Sequence, residues 1–158
     1  PGILGIVDSG TVDVSEQDRR VVAVVHTAML AAVGVYAVAL VFFRLEIVPN
    51  ARALNADARL FLAFAALGLV ELSGAWVLGR RLLRLRRPDA RDRIRLYFLI
   101  RAGAAEAIAL FGFVLGFLGG RPVEVAALFA ASVAGLLACA PGRRAWQAAR
   151  RAAEPAVP

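Results

Sequence analysis

Two glutamates sit inside long apolar runs of this 158-residue chain: Glu71 in the run over about 60–79, and Glu106 in the run over about 96–118. A charge in such surroundings is costly, so an ionisable residue there is by default a candidate for proton or cation handling. At 1.5 Å per helical residue, Glu106 lies ~13 Å into a helix that starts near Tyr97, and Glu71 ~12 Å before Gly79. The two runs flank Pro88-Asp89 symmetrically, which predicts an antiparallel hairpin with both carboxyls at similar depth. A facing pair would hold one proton between them, the arrangement a proton relay needs. The competing reading makes each glutamate a neutral hydrogen-bonding group or a salt-bridge partner that fixes helix packing. Arg101 is one partner to weigh, but five residues from Glu106 place it on another face, and its long stem suits snorkelling to the headgroups.

The remaining chemistry is thin. His26 and Met29 are three apart near one end of the first apolar run, a poor geometry for axial haem ligation, so His26 is expected to pack or to hydrogen-bond toward a glutamate. Cys139 is the only cysteine, which excludes an internal disulfide and a cysteine-rich metal or cluster site held by this chain alone. It is expected to be a small buried residue, acylation being the alternative. No nucleotide loop, zinc motif or nucleophile–base pairing is present. The expectation is therefore no enzyme activity, no catalytic residues, no metal and no cofactor.

The elements that position these residues follow from composition. Hydrophobic residues make up 60% of the chain and charged residues 20%, with a mean hydropathy of +0.69. A soluble chain this small cannot hide so much apolar surface, so lipid has to cover part of it. Four runs reach the ~20 residues that a crossing helix needs: about 21–43, 60–79, 96–118 and 123–140. Each must be helical, because an open strand in lipid leaves its backbone groups unpaired. The expected fold is an all-α polytopic membrane protein with four transmembrane helices in two antiparallel hairpins.

All 19 basic residues are arginine, and 14 of them cluster before the first run, between the second and third, and after the fourth, against Arg44, Arg52, Arg59 and Arg121 on the other side and Arg101 inside a run. By the positive-inside rule, both termini and the middle link face the cytoplasm, as expected of a bacterial inner-membrane protein. Residues 1–20 then form an N-terminal cytoplasmic tail, 21–142 the four-helix domain, and 143–158 a basic C-terminal tail able to lie along the headgroups. The N-terminal stretch lacks the basic start and long apolar core of a signal peptide. The formal charge of +7 belongs to this topology and to anionic lipid headgroups at the cytoplasmic face, and no nucleic acid partner is expected. Gly79-Arg80-Arg81 and Gly142-Arg143-Arg144 hint at a repeated hairpin. The residues around Glu106 (Ala102, Gly103, Ala104, Ala105, Ala107) are small, and Gly112, Gly116 and Gly120 continue a bare stripe. Such a stripe is a helix-packing seam, either within the bundle or between subunits.

The middle hairpin resembles the rotary ATP synthase c subunit, the membrane proteolipid, over roughly residues 60–118. The resemblance rests on a basic loop Arg86-Arg87-Pro88-Asp89, on Glu106 eighteen residues beyond the proline, and on the following run Ala107-Ile108-Ala109-Leu110-Phe111-Gly112-Phe113-Val114. It implies that Glu106 binds and releases a translocated ion, with Glu71 near a polar partner position, and that Arg86, Arg87 and Pro88 form a cytoplasmic loop contact. Phe111 stands where many members of that family carry a tyrosine whose hydroxyl steadies the carboxyl.

Three functions are consistent with these residues. The leading expectation is a non-catalytic integral membrane subunit or assembly component that packs against other membrane subunits or copies of itself. The alternatives are a c-like proton or cation carrier using Glu106, and a small-substrate transporter built from two hairpins.

Overall fold

The computed structural model describes residues 16–47, 58–85 and 89–153, and every regular element among them is helical. Five helices follow in chain order: α1 (Glu16–Phe42), α2 (Ala58–Arg84), α3 (Ala90–Phe117), α4 (Pro122–Ala138) and α5 (Arg143–Ala153). A π-helical turn, Phe43–Ile47, continues α1. The apolar patch near the N-terminus, most of the loop between α1 and α2, and Arg86, Arg87 and Pro88 lie outside the described residues.

Three helices, α1, α2 and α3, are long and apolar enough to cross a bilayer. The fourth apolar run behaves differently. Its helix α4 has 17 residues, or ~25 Å, short of the ~30 Å hydrocarbon core. It adds a fourth crossing only when α4 and α5, bent by 67°, are taken together as one broken span. Pro141 and Gly142 explain the break. Proline cannot donate to the helix ladder, and glycine leaves the backbone free to turn.

The helices also run past the apolar segments that mark them in the sequence. α1 starts at Glu16 rather than near Val21, α2 continues to Arg84, and α3 begins at Ala90. Hydropathy marks where lipid is, whereas a helix ends where its backbone bonds or caps run out. Residues 16–20 are therefore helical. Residues 143–153 form α5, which folds back onto α3 and α2. Its apolar face, Trp146, Ala149 and Ala153, recurs at helical spacing and is buried, while Arg143, Arg144 and Arg151 stay exposed. The two Gly-Arg-Arg segments are not equivalent, since Gly79 lies inside α2 and Gly142 precedes α5.

α3 is the hub. α1, α2, α4 and α5 all pack on it, whereas α2 has little direct contact with α1 or α4. Three apolar tiers stack along α3. At the arginine-rich end, Phe98 and Ile94 meet Val22, Leu83 and Trp146. In the middle, Ala102, Ala105 and Ala109 meet Val33 and Leu136. At the far end, Ile108 and Leu115 meet Leu40, Val125 and Leu128.

The α3–α4 turn is tight. Gly119 has φ 85°, and the Gly120 N–H donates to Leu115 O at 2.8 Å, closing the last turn of α3. Pro122 then opens α4, and the Glu124 carboxylate accepts from the Arg121 N–H at 3.3 Å. Arg44 locks this turn to the end of α1, donating to Gly116 O at 2.9 Å and Gly120 O at 2.6 Å.

Candidate functional site

Glu106 points from α3 toward α1. The small buried neighbours Ala102, Ala105 and Ala109 bring the helices close enough for Tyr36 of α1 to reach it. The Tyr36 hydroxyl donates to Glu106 Oε1 at 3.2 Å, and the tyrosine ring lies 5.9 Å from that of Phe113. Phe111, at the position where the resemblance predicts a steadying tyrosine, stacks instead on Phe64 of α2 at 5.5 Å. A hydroxyl does reach Glu106, but it comes from a different helix. Glu106 itself is half-buried.

Glu71 lies on α2, one residue before Leu72, which borders the middle tier. It is half-buried, and its Oε2 is enclosed with no hydrogen-bond partner among the described residues. The two carboxyls therefore differ in kind, one tied to a tyrosine and one carrying an untied oxygen. An enclosed polar atom with no partner costs stability, so Glu71 is the less settled of the two.

The glycine stripe has three separate neighbours within the chain. A Cβ at Gly112 would meet Leu128 Cβ at 3.1 Å on α4. At Gly116 it would overlap the end of Leu40 on α1, with Leu40 Cδ1 at 2.8 Å. At Gly120 it would meet Leu115 Cγ at 2.6 Å. All three positions are thus occupied by the chain's own packing. Arg86, Arg87 and Pro88 fall outside the described residues. His26 is buried with Nε2 unpartnered among the described residues, and Cys139 is buried at the end of α4. Arg101 turns back along its own helix to donate to the Tyr97 hydroxyl at 2.5 Å.

A second cluster of buried charge has no counterpart among the sequence-derived candidates. Asp18, in the first turn of α1, is fully buried and pairs with Arg91, Nε to Oδ2 at 2.8 Å, and with Arg95. Arg93, also buried, donates to Leu83 O at 2.9 Å, to Leu85 O, and to Ala153 O at 3.4 Å. One guanidinium thereby serves the free carbonyl ends of both α2 and α5, where a cation also suits the helix dipole. The available signal was the spacing of Arg91 and Arg95, four apart and so on one helix face. Their acidic partner is more than seventy residues away, beyond the reach of local pattern.

Together the described residues offer a hydrogen-bonded, half-buried carboxyl in the middle of the bundle, a second carboxyl with one oxygen unpartnered among them, and a charge-matched clasp at one end. No family model, curated protein or solved structure matches this chain.

Proposed function

We propose that the chain is a non-catalytic integral membrane component of a larger membrane assembly, crossing the bilayer four times with both termini cytoplasmic. The arginine distribution supports the orientation: the arginine-rich link, the start of α1 and α5 all gather at one end of the bundle. The fourth crossing is the bent α4–α5 pair. The observation that carries the reading is the bond from Tyr36 to Glu106. It makes the best-placed intramembrane carboxyl a tie between α1 and α3 of one chain, on a helix that α1, α2, α4 and α5 all pack against. The outward faces of α1 and α2, with Val24, Val35 and Val38 on one and Leu62, Leu69 and Val70 on the other, remain for lipid or for other subunits.

The second reading is a proton carrier, and the untied Glu71 oxygen in the same bundle favours it. Glu106→Gln separates the two, because glutamine still accepts from Tyr36 but cannot carry a proton. In proteoliposomes under an imposed pH gradient, the component reading expects unchanged proton conductance and an unchanged native assembly. Loss of a chain-dependent proton flux with normal insertion would establish the carrier instead.

A further inference from the structure

Between α2 and α4, beside α3, lies an open cleft of about 510 Å³ whose walls include Leu72, Ala75, Trp76, Gly135, Ala138 and Cys139. The cleft exists because α2 and α4 both pack on α3 without closing on each other. Glycine deepens it on the α4 side, where Gly135 rests on Ala105 with room for a Cβ only at 3.0 Å. Among the described residues its walls are almost wholly apolar, with Arg101 the one charged side chain.

Arg101 is held rather than spent. Its stem passes beneath Gly79, 3.9 Å from where a Cβ would stand, and one nitrogen donates to the Tyr97 hydroxyl. A guanidinium has five N–H donors, so the rest of the fork is left for a ligand. Next to Gly79, Arg80 lies over the ring of the wall residue Trp76 at 3.6 Å from its centroid, so a second guanidinium stands beside the cleft without lining it. No acidic side chain lines the cleft among the described residues. An apolar slot open to the side, with arginine and interfacial aromatics at one end, matches an amphiphile with an anionic head.

We propose that this cleft is a binding site for one anionic phospholipid of the cytoplasmic leaflet. Its phosphate is taken by Arg101 with Arg80 at the rim, and an acyl chain lies along Leu72, Ala75 and Ala138 between α2 and α4. This goes beyond general attraction of headgroups to the arginine-rich link, because it names one lipid in one slot; only the choice of leaflet rests on the orientation proposed above.

The test places the full chain in nanodiscs of phosphatidylcholine mixed with phosphatidylglycerol and counts retained lipid by native mass spectrometry. The unaltered chain should keep one phosphatidylglycerol in preference to phosphatidylcholine. Arg101→Gln should lower that preference about tenfold, the worth of one charge-assisted hydrogen bond. Ala138→Trp should abolish retention while leaving both arginines in place. Ala138 is exposed on the cleft wall, so this change fills the slot without disturbing the core. Arg144→Gln, on the exposed face of α5, should retain the lipid as the unaltered chain does. Circular dichroism and a melt confirm that each variant is folded. In detergent, short-chain phosphatidylglycerol should raise the melting temperature of the unaltered chain and millimolar inorganic phosphate should not. Equal retention in Arg101→Gln and Ala138→Trp, or no preference over phosphatidylcholine, would overturn the proposal. So would a phosphate effect equal to that of the lipid.

Discussion

The middle of the bundle holds two half-buried carboxyls and its arginine-rich end a buried charged cluster, and the two are partnered differently. In the middle, Glu106 has one hydrogen bond at 3.2 Å and Glu71 has an enclosed oxygen with none among the described residues. At the end, Asp18 is gripped by two arginines, and Arg93 serves carbonyls of two helices at once. The end cluster also surrounds its charges with large side chains, Phe98 and Trp146 with ring centroids 4.7 Å apart, whereas the middle is lined by alanines. The difference separates two uses of buried charge. Where partners are many and bulky residues exclude water, the charge holds the fold together. Where partners are few and the helices merely touch, the group is left available to a proton or to a weak interhelical tie.

Substitutions at the two regions should therefore differ in scale, and the largest effect belongs to the arginine-rich end. Trp146→Ala removes a side chain only 2% exposed, and should destabilise by about 3–5 kcal/mol. Denaturation in mixed micelles, with α5 freed to proteolysis, checks it. Arg93→Met should follow at about 3 kcal/mol, since it strips charge-assisted bonds from buried helix ends. The expected signature is faster cleavage after both Leu85 and Ala153. A loss no larger than that of an exposed arginine would erase the contrast between the regions.

Gly116→Leu sharpens the comparison from the far end. Its side chain collides with Leu40, so a destabilisation of about 1–3 kcal/mol is expected. The copy number of the assembly should stay unchanged, because the seam is filled from within the chain. Tyr36→Phe should have the smallest effect, about 0.6 kcal/mol, the usual worth of an interhelical hydrogen bond in a membrane. A drop of several kcal/mol there would mean that the middle holds the fold together as firmly as the end does.

Much of this layout is readable from the amino-acid sequence. Run length and hydropathy locate the apolar segments, and the arginine-bearing start of α1, end of α2, start of α3 and α5 meet at one end of the bundle. At Gly112 and Gly116 a Cβ would meet Leu128 of α4 and Leu40 of α1, neighbours that the stripe of small residues does not identify. Less legible are the helix ends, because polar turns such as those at Asp18 and Arg91 are helical without being apolar. The amphipathic face of α5 was visible in the spacing of Trp146, Ala149 and Ala153. That it packs on α2 and α3 is set by tertiary contacts that local spacing does not show. The partners of the candidate carboxyls are hardest of all. Tyr36 and Glu106 are separated by seventy residues, and only the packing of α1 on α3 brings them together.

Copy number in the native membrane distinguishes a packing component from a rotor-type carrier more directly than any substitution. Native mass spectrometry after mild-detergent extraction would read it, with particle imaging as the check on symmetry. One or two copies of this chain beside other membrane subunits is the predicted result. A closed ring of many identical chains would contradict it and would make Glu106 an ion site shared around the ring.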